Sequence, residues 1–392
     1  MKPIFIFVQT LIIVNLTFAQ SAFDSVLFSV EANNKNIQAA IQFYDSQAML
    51  YKTGNTPNDP MVGFDYMKGS PVTAGNQLDF TVTQSFNFPT VYGNRKDLVN
   101  SQTSQSQYQV ELLKQNILLE TKLVCIELIY LNKMKSLIGA RINHAETIYA
   151  NYNNKLEKGD GNIIELNKAK INLFNLQNEI RLNNGKINGW IQKLTQLNGG
   201  IPINFSDTLY PMVSVIPSFD ELEQLYEQQD PLLKSLEQQL VIAQQQVQLS
   251  KSLWLPTFET GYHYQSILGQ TFNGVHLGMT IPLWEKNNTI VQKEMETGFH
   301  EIQIEQHKTE HYFELKQLYE NYLALSTSYS EYKNLIETLA SVETLEKALE
   351  GGQITVIEFF AEMSSYYATH NNMLAIEKEY QNVVAQLNKY LL

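Results

Sequence analysis

Lys158-Gly159-Asp160-Gly161-Asn162-Ile163-Ile164-Glu165-Leu166 and Glu350-Gly351-Gly352-Gln353-Ile354-Thr355-Val356-Ile357-Glu358-Phe359 are two versions of one pattern. Each is a glycine-bearing turn that opens into an apolar helix start carrying one glutamate. Each follows a long proline-free run, Gly93 to Glu157 and Asn287 to Glu350. Each run in turn follows a helix and two alternating segments. The order helix, strand, strand, long helix, turn, helix is therefore expected twice, and internal repetition of this kind decides the fold before any smaller motif does. It divides the chain into residues 1–19, a first repeat at 20–200, a linker at 201–217 and a second repeat at 218–392.

Residues 1–19 read as a secretory signal peptide. Lys2 is a minimal basic start, Ile4 to Leu16 is apolar, and Thr17-Phe18-Ala19 offers small residues at a cleavage site. The apolar run is too short to span a bilayer comfortably. No cysteine stands just after the cut for lipid attachment. Formal charge is −12, or −13 once Lys2 is removed with the signal. That balance excludes nucleic acid as a partner, because no basic stripe neutralises phosphates. Charged residues are only 17%, low for a soluble acidic protein. The one cysteine, Cys125, lies in a helical apolar run with Leu123, Ile126 and Tyr130 and reads as a small buried hydrophobe.

Four segments alternate with a period of two. They are expected at about 60–68, 78–88, 256–265 and 275–284, each near the length that crosses a bilayer when tilted. Phe80, Val82, Phe86, Leu277, Met279 and Ile281 fall on the apolar side and are the expected lipid-facing residues. Asp79, Thr81, Thr83, His276 and Thr280 fall on the other side. Alternation alone also fits hairpins packed on a soluble core. Four strands cannot close a barrel, and open edges are not tolerated in lipid. Membrane-embedded strands would have to be pooled between subunits, and three protomers would pool an even twelve. The segments Gly69–Asn76 and Ser266–Gly274 read as loops.

The long runs carry apolar residues at steps of three, four and seven, as in Tyr312, Leu315, Tyr319 and Tyr322. Such spacing predicts coiled-coil packing of uninterrupted helices. At 1.5 Å per residue each helix would be on the order of 95 Å long. Inside the second run, His307-Lys308-Thr309-Glu310-His311 spells an inverted zinc-protease signature. It lacks a recognisable third ligand and an enclosing catalytic domain, so it reads as a polar helix face. No phosphate-binding glycine loop or Ser-His-Asp arrangement is recognisable. No enzyme, metal site or cofactor is expected.

These pieces together resemble the TolC-type outer-membrane efflux proteins, over essentially the whole chain from about Val30 to Leu392. The resemblance is carried by the two turn-plus-helix segments, by Thr280-Ile281-Pro282-Leu283-Trp284 leading into a long helix, and by Ser252-Leu253-Trp254-Leu255-Pro256 leading into a strand. It implies a mixed α and β membrane protein, a homotrimer whose twelve-stranded β-barrel in outer-membrane lipid continues into a long α-helical periplasmic barrel. It implies a passive exit channel of a tripartite efflux or secretion system, partnered by a periplasmic adaptor and an inner-membrane pump. The adaptor would dock on the turns at Gly159, Asp160, Gly161, Gly351, Gly352 and Gln353. The pore aperture would be lined by Glu165, Glu358 and Glu362. Ala361 and Ile354 depart from the family's ionic gate pattern. A soluble periplasmic coiled-coil scaffold or adaptor is the alternative reading of the same periodicities.

Overall fold

A computed structural model describes residues 22–211, 215–284 and 287–392. The expected signal peptide lies outside the described residues. The chain forms nine α-helices and four strands among those residues: α1 (Ala22–Asn33), α2 (Lys35–Lys52), β1 (Met61–Lys68), β2 (Asn76–Phe86), α3 (Pro89–Glu157), α4 (Ile163–Leu197), α5 (Phe219–Gln229), α6 (Pro231–Ser252), β3 (Thr257–Ile267), β4 (Gln270–Thr280), α7 (Thr289–Thr338), α8 (Val342–Glu350) and α9 (Val356–Leu387). No described helix is long and apolar enough to cross a membrane.

Two compact units share these elements. One unit draws on α1, on the described residues between Glu120 and Ser214, and on Glu331–Asn382. The other draws on Lys35–Leu119, on the described residues between Val215 and Ser330, and on Val383–Leu392. Helix α3, 69 residues long, contributes to both. It starts at Pro89, where a missing N–H is harmless and φ is already helical.

The first unit is a helix bundle. Cys125, Leu128 and Ile129 of α3 have no exposed surface, and Leu131 and Ile138 are also buried. Burial pushes the Cys125 thiol up to about 12, with Asp207 adding to the effect, so the side chain stays neutral as a small hydrophobe. Several polar groups in this core are matched. Asn183 donates to the Leu131 carbonyl at 3.0 Å, and Lys133 and Lys378 pair with Glu377 at 2.7 Å and Glu127 at 3.1 Å. Asn34 ties the end of α1 to the end of α4 by donating to the Leu197 carbonyl at 2.7 Å.

The second unit holds one antiparallel sheet in the order β1-β2-β3-β4. Strands β2 and β3, almost two hundred residues apart in sequence, form its central pair. Among its helices, Phe219 of α5 packs edge-on against Tyr312 and Tyr319 of α7. The Tyr226 hydroxyl donates to the Gln386 carbonyl at 2.8 Å, which anchors α5 to the end of α9.

Three expected boundaries are corrected. The second hairpin has almost no loop: only Leu268 and Gly269 separate β3 from β4, both at positive φ, 50° and 79°. Two such residues make the tight turn whose twist suits paired strands, so most of the segment read as a loop is strand. Strand β4 consequently ends at Thr280, and Ile281 lies beyond it. The second long helix is also interrupted. Helix α7 ends at Thr338, and α8 restarts after Ser341, whose side chain accepts from the Thr344 N–H at 3.3 Å. A serine cap satisfies an otherwise orphan donor and makes a restart favourable, a local effect that side-chain periodicity does not register.

Candidate functional site: a two-faced sheet and two matched turns

The register settles which side chains share a face. Val62, Val82, Tyr262 and Val275 lie in one row across all four strands. Phe64, Phe80 and Tyr264 form the next row, and Phe86, Phe258 and Met279 a third. Because side chains alternate along a strand, these rows belong to one face. That face is open within the chain: Val275 is 76% exposed, Leu277 78% and Val62 64%. Met279 and Tyr262 are also exposed, Phe80 and Phe86 marginally so, and Val82 is half-buried. Ile281 is exposed but no longer in the sheet. A contiguous exposed apolar face of this kind marks a membrane or partner contact.

The opposite face is mainly polar, with Met61, Met67, Ile267 and Phe272 toward its ends. It carries Asp65, Gln77, Asp79, Thr81, Thr83, Ser85, Glu259, His263, Gln265 and His276, opened by Gly261, Gly274 and Gly278. Asp79 is buried although it sits on an open sheet. Its Oδ2 accepts from Gln77 Nε2 at 2.8 Å, and its Oδ1 lies 3.4 Å from His263 Nε2. His276 Nε2 lies 3.2 Å from Glu259 Oε1.

The two turns that opened the sequence analysis share one geometry. At the end of α3, the Gly159 N–H donates to Leu156 and the Asp160 N–H to Lys155, at 3.0 Å each. At the end of α8, the Gly352 N–H donates to Leu349 at 3.1 Å and the Gln353 N–H to Ala348 at 2.8 Å. This double return to earlier carbonyls satisfies a helix C-terminus and needs a left-handed residue at its second position. Gly159 and Gly352 supply it, with φ of 82° and 68°. Both glycines are exposed, as are Asp160, Gly351 and Gln353, while Gly161 is half-buried.

Both turns rest on one hydrophobic cluster. Ile148 and Tyr152 of α3, Ala169 of α4, and Phe359, Met363 and Tyr367 of α9 are its buried members. Phe359 is among the largest fully buried side chains of the chain. The cluster therefore brings together two segments nearly two hundred residues apart.

The expected aperture residues part company here. Glu165 is half-buried in the first turn of α4, where Asn162 caps the helix by accepting from the Ile164 N–H at 2.9 Å. Glu358 is exposed, and its carboxylate is engaged. Oε2 accepts from the Thr355 N–H at 2.7 Å and from the Thr355 hydroxyl at 2.9 Å, while the Glu358 N–H donates back to Thr355 Oγ1 at 3.2 Å. This is a capping box, spelled Thr355-x-x-Glu358 in the sequence and missed there. The hydrogen bonds from the Thr355 backbone and then its hydroxyl hold the Glu358 carboxyl below the usual range. Glu362 is exposed one helical step further on.

The protease-like motif does not assemble a metal centre. His307 Nε2 is 2.8 Å from Asp230 Oδ2, and His311 packs its ring against Tyr226. Glu310 points elsewhere and accepts from Gln306 at 2.9 Å. Burial alone would raise the Asp230 carboxyl, but the hydrogen bonds from His307 and from the Leu232 N–H, with the nearby imidazoles, outweigh it and hold it low. Burial lowers His311. Among the described residues no group of three or more His, Cys, Asp or Glu side chains is placed to hold a metal ion.

The fold is that of outer-membrane channels. The VceC outer-membrane protein of Vibrio cholerae is 11% identical with a TM-score of 0.76, over 94% of this chain and 95% of that one. The transmembrane-channel protein CusC is 14% identical with a TM-score of 0.75, over 94% and 91%. The CmeC outer-membrane channel of Campylobacter jejuni is 14% identical with a TM-score of 0.68, over 94% and 85%. No protein-family model and no curated protein sequence matches the chain, so the likeness is one of fold. The resemblance drawn from the sequence holds at that level.

Proposed function

We propose that three copies of this chain form a passive exit duct through the outer membrane of a diderm bacterium, continued by a helical barrel in the periplasm. The observation that carries the reading is the register. It gathers Val62, Phe64, Phe80, Val82, Tyr262, Val275, Leu277 and Met279 on one largely exposed face and most of the ionisable and polar residues on the other. An open four-stranded sheet with such a face is untenable alone in lipid, because edge N–H and C=O groups there have no partner. Pooling the sheets of three protomers removes every edge and gives twelve strands. Residues 20–200 and 218–392 are the two repeats of that assembly, joined by 201–217, and residues 1–19 direct the chain to export.

In this duct the polar face lines the lumen. The turns at Gly159, Asp160, Gly161 and Gly351, Gly352, Gln353 are docking points for a periplasmic adaptor, and an inner-membrane pump supplies the energy. Glu165, Glu358 and Glu362 line the aperture near those turns. The CmeC channel of the same fold is an outer-membrane channel, which fits this location.

The test is fractionation with topology. Unheated samples should run as heat-modifiable trimers from the outer-membrane fraction and resist carbonate extraction. In a Cys125→Ala background, Val72→Cys, at a 93% exposed position in the first hairpin connection, should react with an impermeant thiol reagent on intact cells. Release by carbonate or high salt would favour a soluble coiled-coil scaffold. Labelling only after outer-membrane rupture would reverse the orientation.

A further inference from the structure

Two histidine–carboxylate pairs stand on the polar face of the sheet, Asp79 with His263 and Glu259 with His276. Both pairs are looser than a fully closed ion pair. A charged N–H to carboxylate hydrogen bond closes to about 2.7–2.9 Å, and the half-buried Asp230–His307 pair of this chain does so at 2.8 Å. The sheet pairs stand at 3.4 and 3.2 Å. A zinc ion bonded to an imidazole nitrogen and a carboxylate oxygen at about 2.0–2.2 Å, near the tetrahedral angle, holds those two atoms about 3.3–3.5 Å apart. The Asp79–His263 separation lies in that range, and the Glu259–His276 separation is within about 0.2 Å of it.

The surroundings fit an open two-ligand subsite. Gln77 donates to Asp79 Oδ2 at 2.8 Å and leaves Oδ1 turned to His263, the outer contact that orients a ligating carboxylate. At the second pair the enabling residue is Gly278, directly across from Glu259. A Cβ there would sit 3.3 Å from His276 Nε2 and 3.5 Å from Glu259 Cβ, so a side chain would crowd the approach. Both imidazoles are 48% exposed, which leaves room for water to complete the coordination. Two ligands from the chain and the rest from water make a weak, exchangeable site, in keeping with the lack of any three-ligand cluster among the described residues.

We propose that the polar face carries two subsites for a divalent transition-metal ion of the zinc class, one at Asp79–His263 and one at Glu259–His276. Imidazole paired with carboxylate selects such ions over magnesium, which prefers oxygen ligands alone and dehydrates reluctantly. The subsites stand on side-chain geometry. Their placement in a lumen, where bound metal would obstruct current, rests on the duct reading.

Purified protein in planar bilayers, titrated with zinc chloride and separately with magnesium chloride, tests both. Zinc should halve the current at a concentration at least about tenfold below magnesium. Removing both imidazoles should raise the zinc concentration needed by about tenfold or more, the usual scale for disturbing a metal site. His263→Gln with His276→Gln is the primary variant, and His263→Ala with His276→Ala guards against adventitious amide ligation. Conducting channels that zinc blocks no better than magnesium would overturn the subsites and leave the duct standing, as would block unchanged in both double variants. Protein that never conducts would sink the duct reading instead. Equilibrium dialysis against zinc chloride then decides the subsites: zinc bound by the native chain and lost in both double variants upholds them, and equal binding in all three overturns them.

Discussion

Val275→Arg asks the most of the proposed lipid face. Val275 stands in the row that crosses the sheet through Tyr262, Val82 and Val62, near the middle of β4. It is 76% exposed and therefore has little packing within the chain to lose. In a soluble hairpin, a substitution at such a position would stay within about 0.5 kcal/mol. In a barrel, an arginine facing hydrocarbon near mid-depth costs about 2–4 kcal/mol. Three well-separated copies add, so the trimer would lose about 6–12 kcal/mol. That is as large as the whole stability of an ordinary domain, and trimers should largely disappear. Thr81→Arg is the control, because Thr81 lies on the opposite face, across from His263. There the cation would meet water and the nearby Asp65 and Asp79 carboxylates of the same face. The assay is the yield of heat-modifiable trimer in outer-membrane fractions, run beside total chain. Native yield from Val275→Arg would refute the lipid-facing assignment, and so would equal loss in Thr81→Arg.

Four further outcomes are expected. Phe359→Ala should cost about 3–5 kcal/mol of local stability, since its side chain is 1% exposed at the centre of the cluster under both turns; hydrogen exchange of the first turns of α4 and α9 should report it. Gly159→Ala and Gly352→Ala should each cost about 1–2 kcal/mol from left-handed strain without any clash, seen as a lower thermal midpoint, while Gly159→Trp with Gly352→Trp should abolish export and leave purified channels conducting. Glu358→Gln keeps a capping-box partner but removes the charge, so it should lower cation selectivity with little loss of helix stability; Thr355→Val should do the reverse, and unchanged selectivity in Glu358→Gln would remove Glu358 from the aperture. The Asp230 carboxyl is held low in the folded chain, so its stabilising effect is present above the unfolded carboxyl pKa and is lost as pH falls through the folded value; Asp230→Asn should flatten the acid limb of the stability-versus-pH curve.

Much of this molecule is written locally. The glycines at 159 and 352 announce their turns because almost no other residue tolerates φ near 70–80° there. The alternation in Phe80-Thr81-Val82-Thr83 announces a strand with two unlike faces, and the proline-free run after Pro89 announces a long helix. The Thr355-x-x-Glu358 box is equally local, a threonine followed three residues later by a glutamate at a helix start. What the sequence by itself determined is therefore the kind of each element and the chemistry of each face, since both depend on neighbours a few residues away. Tertiary structure alone decided the pairing of β2 with β3, the meeting of Asp79 with His263 and Glu259 with His276, and the seating of both turns on Phe359. Those contacts join segments far apart in the chain. A one-residue change of register would carry every side chain of a strand to the other face, and no local propensity specifies which register the packed chain adopts.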